Sequence, residues 1–421
     1  MGRNLRLAMR EIRKKSFFSL LMFAVCIISM HTVLTSITNT TSAAWQQRIF
    51  EDSLGCDMSK VLHLYYQQAE ESPEFADVLT KYIDYISELP GVLSAGRFDV
   101  TGMYFTELKA SKEYARINAE IVKNGKYAAH ADITRLLRAD EKILTLVKGG
   151  ISEYTEPASG KLPIYVSEVF KDILPAGTSL TDGMTGEKYE VMGYFPQKSR
   201  WVEENDLIRF PMVSMEGWFI APFSADSEAD IMTQLSCLHN TYVLISDNAD
   251  IDFLKKAISE YSVRHGFEVS ACVLAEEYEA YRTETRTFTA GQIALSIFIS
   301  VMALSSIIAV FTTNTILKQK QYGIFIANGF TLNDIAAGIV SEIAAIVLPS
   351  ALVAWGMKYA ALKQSKDLFR DILMTAHIHF TLPFCGFVAA VIIIIAAVLP
   401  VVRIFKYQPC ELTGGKVSGN Y

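Results

Sequence analysis

Four long runs of apolar residues limit the folds that this chain of 421 residues can adopt. The first run, Phe17–Ile37, holds no charged residue, and the other three follow Arg286. Because a helix rises about 1.5 Å per residue, about 20 apolar residues cross a hydrocarbon layer about 30 Å thick. Apolar residues make up 51% of the chain and are concentrated in these runs. The runs predict transmembrane helices at residues 16–38, 287–317, 335–357 and 382–404.

The first run has a second interpretation, as a signal peptide that is cleaved. Basic residues precede it, and the small residues of Thr41–Ala44 would suit a peptidase. The apolar part of a signal peptide is usually about 7–15 residues long. Phe17–Ile37 is longer than that, which favours a membrane helix that is retained.

Lysine and arginine residues near the helix ends predict the orientation of the chain, because they are enriched on the cytoplasmic side. They occur in a basic amphipathic helix predicted at 1–15, in the segment 318–334 and after the fourth run. All three groups face the cytoplasm if both termini do, and residues 405–421 then form a cytoplasmic tail. The outer loop predicted at 358–381 is also basic, which weakens the pattern without reversing it.

Residues 39–286 lie between the first two predicted helices and are expected outside the cell membrane. This block is acidic, since the whole chain has a net charge of −6 although the portions on either side are basic. An acidic surface excludes nucleic acid as a partner on that side. Solubility accounts for acidity of this kind in most proteins, and attraction of a cationic ligand is the alternative.

Helical and alternating patterns are mixed within this block, which predicts a mixed α+β domain. Apolar spacing predicts a helix at Ser72–Leu89 and a second helical region at about Ala128–Val147. Alternation predicts a strand at Val92–Val100. Two glycine-containing pairs in 182–186 predict a hairpin turn that leads into a strand at Lys188–Phe195.

The sequence carries no phosphate-binding loop, no G-x-S-x-G and no H-E-x-x-H motif. His377 and His379 are spaced to share a metal but lack a third ligand, so no metal site is expected. The outer block contains three cysteines, Cys56, Cys237 and Cys272. A disulfide such as Cys237–Cys272 is possible, but the spacing of the cysteines does not establish it. The chain is therefore expected to be non-catalytic.

The segment Lys318–Phe330, KQKQYGIFIANGF, is too polar at its start to cross a membrane and too apolar afterwards for a plain loop. Tyr322, Phe325, Ile326 and Phe330 follow helical spacing on two adjoining faces. A short helix of this kind docks in a hydrophobic groove of a partner protein. The alternative is an amphipathic helix that lies on the membrane surface without a partner.

The order of these elements resembles the MacB–FtsX type of ABC-transporter permease. That order is one membrane helix, a large outer domain and three further membrane helices, with this segment after the second helix. Gly323, Ile324, Ala327 and Gly329 stand where that family has an Ile-Gly-Ile…Ala-Leu-Gly segment. The charged side chains that the family carries within this segment are uncharged here. Glu342 stands where the family often has a glutamate early in its third membrane helix.

The resemblance implies a permease subunit without a cofactor of its own, because ATP and magnesium bind a separate ABC ATPase that is present in two copies. It implies membrane lipids as surroundings, and a homodimer or a heterodimer with a related permease. Motion of the ATPase would reach the outer domain, which exports or extracts a peptide, a lipid or an antibiotic. The residues expected to couple to the ATPase are Tyr322, Gly323, Ile324, Phe325, Ile326, Ala327, Gly329 and Phe330.

Two questions stay open at the level of sequence. The first is whether the outer domain transports at all, because the alternative is a signalling subunit that regulates a cell-wall hydrolase or reports antimicrobial peptides to a sensor kinase. The second concerns Glu342, the one charged residue inside the apolar runs themselves. Its carboxylate either extends to the membrane surface or faces a neighbouring helix.

Overall fold

The computed structural model describes residues 16–69, 75–122, 133–202, 212–365 and 370–406. The chain divides into two compact units. An α+β unit is formed by residues 45–285, and a helical unit by the segments on either side of it. The basic helix predicted at 1–15 and residues 407–421 of the predicted tail lie outside the described residues.

The first element, α1, is Ser16–Ser53, and it extends well beyond the apolar run that predicts it. Threonines follow that run, and such residues often compete with helix formation by bonding the nearby backbone. In α1 the hydroxyls of Thr38 and Thr40 donate to the carbonyls of Leu34 and Ser36, at 2.8 and 2.7 Å. Their polar groups are thus satisfied inside the helix.

The α+β unit contains eleven strands and six complete helices within its described residues. The strands are β1 Val61–Ala69, β2 Val92–Met103, β3 Thr134–Ala139, β4 Leu162–Ser167, β5 Ser179–Thr181, β6 Lys188–Phe195, β7 Arg200–Val202, β8 Met212–Ser214, β9 Phe219–Ala221, β10 Thr241–Ile245 and β11 Phe267–Val273. The helices are α2 Phe75–Ser87, α3 Thr106–Ala110, α4 Lys112–Val122, α5 Ala225–Ala229, α6 Ile231–His239 and α7 Ile251–Arg264.

Nine of these strands form one sheet in the order β11-β1-β10-β2-β3-β9-β4-β6-β5, and β7 pairs with β8. β3 runs parallel to β9 and β4 parallel to β6, while the other pairs are antiparallel. One apolar cluster joins Leu79 of α2 and Leu254 of α7 to Val243 of β10. Another joins Tyr114 of α4 to Phe219 of β9. The predicted mixed α+β domain is confirmed.

The predicted hairpin is also confirmed, because β5 pairs antiparallel with β6. The carboxylate of Asp182 accepts hydrogen bonds from the backbone N–H groups of Met184 and Thr185, at 3.1 and 3.2 Å. Gly186 has a φ of 78°, a conformation that glycine adopts at little cost. The turn is thus fixed by an aspartate and a glycine, as the sequence pattern indicates.

The helical region predicted at Ala128–Val147 is wrong in its described part. Thr134–Ala139 form strand β3, which a short 3₁₀ turn at Glu141–Leu146 follows. Leu136 and Leu137 are both fully buried, and they belong to two different apolar clusters. Both faces of this central strand are therefore covered, which removes the alternation of apolar and polar residues that marks a strand.

The helical unit continues after β11 with α8 Leu274–Leu317, α9 Gln319–Ala327, α10 Leu332–Gln364, α11 Arg370–Ala376 and α12 Leu382–Lys406. A π-helical turn, His377–Thr381, joins α11 to α12. Four helical spans, which begin at Phe17, Leu274, Leu332 and Arg370, are long and apolar enough to cross a membrane. The predicted set of four membrane helices is confirmed.

These spans differ in extent from the apolar runs. α10 continues to Gln364 and α11 begins at Arg370, so the described part of the segment 358–381 is largely helical. The residues at 358–364, KYAALKQ, favour a helix because they include neither glycine nor proline. The core of the unit is apolar and contains Leu34 of α1, Ile343 of α10 and Ala396 of α12.

Candidate functional site

A single residue, Lys318, separates α8 from the short helix α9. Its φ of −89° and ψ of 4° fall outside the α-helical region. Hydrogen bonds nevertheless continue across it, because its N–H donates to the carbonyl of Asn314 and its carbonyl accepts from the N–H of Tyr322, both at 3.0 Å. α9 is therefore attached to α8 through a local break rather than through a loop.

The end of α9 is closed by a compact glycine motif. Gly329 has a φ of 86°, and its N–H donates to the carbonyl of Ile326 at 2.9 Å. The N–H of Phe330 donates to the carbonyl of Phe325 at 3.1 Å, and the two rings lie 5.4 Å apart. These two hydrogen bonds and the apolar contact define a Schellman motif. Phe325 and Phe330, two of the predicted coupling residues, thus help to end the helix.

α10 begins directly after this motif. The hydroxyl of Thr331 donates to Asp334 at 2.7 Å, and the N–H groups of Thr331 and Asp334 donate to each other's side chains at 2.9 and 3.2 Å. This reciprocal pair satisfies backbone donors that the first turn of a helix leaves open. The corner between α9 and α10 is therefore fixed by hydrogen bonds within a few residues.

Six of the eight predicted coupling residues lie on different faces of α9, and Gly329 and Phe330 lie just beyond its end. Tyr322 is 7% exposed and belongs to the apolar cluster of the helical unit, against which Phe325 and Ile326 also pack. Gly323 is buried, and Phe330 is half-buried. Ile324 is 60% exposed, and Ala327 and Gly329 are exposed as well. Ile324 is thus the one large apolar side chain among the exposed residues of α9.

Glu342 contacts a charged residue of a neighbouring element. Its Oε1 accepts a hydrogen bond from the Nζ of Lys318 at 2.9 Å. The lysine side chain is 8% exposed and the glutamate side chain 17% exposed. In the sequence Lys318 indicates only the orientation of the chain, and the one hint of this pair is that opposite charges stand before and after a short helix.

His377 and His379 do not converge. His377 is fully buried, its Nε2 lies 3.1 Å from the carbonyl oxygen of Trp355, and its Nδ1 lies 3.2 Å from the hydroxyl of Thr38. His379 is exposed. No group of three or more histidine, cysteine or acidic residues in the described parts of the chain is arranged to hold a metal.

A second polar cluster lies in the α+β unit around His63 of β1. Its Nδ1 lies 3.1 Å from Glu277, and Cys272 is its cross-strand neighbour on β11. Burial and the charge of Glu277 raise the pKa of the Cys272 thiol. A raised pKa disfavours the thiolate, which is the nucleophilic form. Cys56, Cys237 and Cys272 are free thiols, so a Cys237–Cys272 bridge is not formed.

Comparison with known families identifies the region that contains α9. Residues 293–409 match the family model described as FtsX-like permease C-terminal. No curated protein matches the chain at a significant level.

Two solved structures show partial similarity. The periplasmic region of MacB from Actinobacillus actinomycetemcomitans has 11% identity and a TM-score of 0.33, over 54% of this chain and 94% of that one. The extracellular domain of the ABC-type transporter YknZ from Gram-positive bacteria has 14% identity and a TM-score of 0.30, over 50% and 99%.

Proposed function

We propose that this chain is a permease subunit of the MacB–FtsX type of ABC transporter and transmits ATP-driven motion to its α+β unit. The match of residues 293–409 to the FtsX-like permease C-terminal model supports this proposal. The observation that carries this proposal is the outward face of α9. A short helix with an exposed isoleucine, closed at its end by a Schellman motif, suits docking into a hydrophobic groove. We assign α9 to the cytoplasmic side, with both termini, and the α+β unit to the outer side of the cell membrane.

The partner in this proposal is a separate ABC ATPase. The sequence of this chain contains no phosphate-binding loop, and in this proposal ATP and magnesium bind the ATPase. Two permease chains, identical or related, would meet in the membrane above two ATPase copies. The chain itself is non-catalytic in this scheme and carries no cofactor.

Two helices offer a route for motion between the units. The division between the units falls within α1, after Ala44, and within α8, before Arg286. Since backbone hydrogen bonds make a helix stiff along its axis, each of these helices transmits displacement better than a flexible linker. The α+β unit would respond by exporting or extracting a peptide, a lipid or an antibiotic, and its acidic composition favours cationic peptides.

The first test is recovery of the full chain from its native membrane in detergent, followed by mass spectrometry. Co-purification of a protein with a phosphate-binding loop supports the proposal. Recovery of a sensor kinase or a cell-wall hydrolase without such an ATPase contradicts it and favours the signalling role.

A substitution then tests α9 itself. Ile324→Asp is expected to abolish co-purification of the ATPase while the permease still inserts, because a charge replaces the exposed apolar side chain. Phe325→Asp and Ile326→Asp are less informative, since both side chains pack against the helical unit. Met184→Asp is the control, because Met184 is 78% exposed in the α+β unit. Equal recovery of the ATPase with Ile324→Asp and Met184→Asp contradicts docking through α9.

A further inference from the structure

The break between α8 and α9 coincides with a residue whose side chain is in a shielded ion pair. Lys318 is the residue with non-helical dihedral angles, and its ammonium group lies 2.9 Å from Glu342 of α10. Glu342 is the eleventh residue of α10, about 15 Å along that helix from its start. The pair therefore joins the origin of α9 to a point well inside α10.

Neither proline nor glycine accounts for this break. Sharp changes of direction in helices almost always occur at proline, glycine–serine pairs, π-bulges or inserted groups. Residues 314–322, NTILKQKQY, contain neither proline nor glycine. The hydrogen bonds on both sides of Lys318 follow the i to i−4 pattern. A regular continuation of α8 into α9 is therefore open to the backbone.

We propose that Lys318 and Glu342 are positioning residues whose ion pair holds this break and thereby sets the direction of α9. An ammonium group that is 8% exposed is costly to keep without a counter-charge, because burial of a charge is unfavourable unless it is paired. Loss of the carboxylate favours any arrangement that returns the lysine to solvent. Regular helical dihedral angles at Lys318 provide such an arrangement and redirect α9.

The direction of α9 matters because Ile324 is six residues beyond Lys318, or about 9 Å along the helix. A swing of about 30° at Lys318 moves this residue by on the order of 5 Å. Displacement of α9 by a bound ATPase would exert a force on the Lys318–Glu342 ion pair, and Glu342 would transmit that force to α10. In this respect the inference rests on the proposed function, although the geometry of the break does not.

The inference is tested by electron-spin distance measurement on the full chain in lipid nanodiscs, without an ATPase. Nitroxide labels are placed at Ile324→Cys on α9 and Ala337→Cys on α10, both at exposed positions. The six native cysteines are first replaced. ATPase co-purification is measured separately on each variant with Ile324 unchanged and unlabelled, because a label at Ile324 would itself cover the proposed docking side chain.

We expect Glu342→Gln and Lys318→Met to shift or broaden the distance distribution by on the order of 5 Å. The exchange Lys318→Glu with Glu342→Lys should return it to that of the unchanged chain. Lys320→Met is the matched control, because Lys320 is an exposed lysine on the same helix. It should have no effect.

Three results overturn the inference. The first is a label-to-label distance that is unchanged in Glu342→Gln. The second is a shift in Lys320→Met equal to that in Glu342→Gln. The third is a distance in the charge-exchanged chain that is shifted as far as in Glu342→Gln. Lys318→Met keeps the test decisive if Glu342→Gln does not fold. A distance that stays unchanged while the ATPase still co-purifies contradicts only the positioning role. A shift in a chain that recruits no ATPase contradicts only the proposed function.

Discussion

The Nδ1 atom of His63 and the Oε2 atom of Glu277 lie 3.1 Å apart in the interior of the α+β unit. His63 is on β1, and Glu277 is in the first turn of α8. On its other side, the Nε2 of His63 lies 3.0 Å from the carbonyl oxygen of His239. Both ring nitrogens of His63 therefore face an oxygen within hydrogen-bond distance. This contact ties the start of α8 to a central strand.

The first prediction concerns this contact. Glu277→Gln should lower the free energy of unfolding by about 1–3 kcal/mol, because a hydrogen bond to a charged group is lost from a shielded site. The control is Glu276→Gln, whose side chain is 63% exposed and pairs with Lys255 at 3.3 Å. Exposed pairs contribute about 0–1 kcal/mol. Denaturant unfolding of the purified chain measures both, and equal losses would contradict a special role for Glu277.

The second prediction concerns the pH dependence of stability. Burial raises the pKa of Asp99 above its ordinary value. A hydrogen bond that the Ser236 hydroxyl donates at 2.8 Å acts in the opposite direction but is the smaller effect. The folded state therefore retains this proton at a higher pH than the unfolded state does. The contribution of Asp99 to stability is greatest below its unfolded pKa and is lost as the pH rises through its folded pKa.

Asp99→Asn removes this dependence, because the amide does not titrate. The stability of the variant minus that of the unchanged chain should be larger at pH 7 than at pH 4. Thermal unfolding of both chains at both pH values measures this difference. Asp172→Asn, at an exposed position, is the control and should show no such difference. A gain for Asp99→Asn that is the same at both pH values would count against the shifted titration.

The third prediction compares two histidines of the π-helical turn. His377 is fully buried, faces the carbonyl of Trp355 and stacks on its ring at 5.2 Å, whereas His379 is exposed. His377→Leu leaves buried polar partners unmet and should lower stability by about 1–3 kcal/mol. His379→Leu should change it little. Thermal unfolding in detergent separates the two, and a greater loss from His379→Leu would refute the prediction.

The fourth prediction compares two glycines near α9. Gly329→Ala should lower stability by about 1–2 kcal/mol, because its φ of 86° is unfavourable for a residue with a Cβ atom. No atom lies within 4 Å of a Cβ added at Gly329, so the effect is conformational rather than steric. Gly338→Ala, inside α10 and equally open, should raise stability by up to about 1 kcal/mol. Detergent denaturation of both variants measures these opposite signs.

Several structural features follow directly from local sequence. The apolar run that begins at Phe17 is too long for anything but a buried or membrane helix, and α1 contains it. The Asp182–Gly186 turn forms as its residue types indicate, because an aspartate that accepts backbone hydrogen bonds and a glycine at positive φ are both local properties. The Schellman motif at Gly329 is local in the same sense.

Other features required contacts between distant parts of the chain. Leu136 and Leu137 are read as helical because both are apolar, yet pairing with β2 and β9 covers both faces of their strand. Tyr322 is predicted to dock a partner from its spacing, but packing against the helical unit buries it and leaves Ile324 outward. Periodicity locates an apolar face of a helix without deciding what covers it.

The sequence by itself determined the four membrane helices, the α+β unit between the first two and the short helix after the second, because hydropathy and turn chemistry act over neighbouring residues. Only the tertiary structure decided that Lys318 meets Glu342 and which residues of α9 face outward. Lys318 and Glu342 are 24 positions apart, and Lys318 lies between α8 and α9 while Glu342 lies within α10, so packing of the chain brings them together rather than local residue preference.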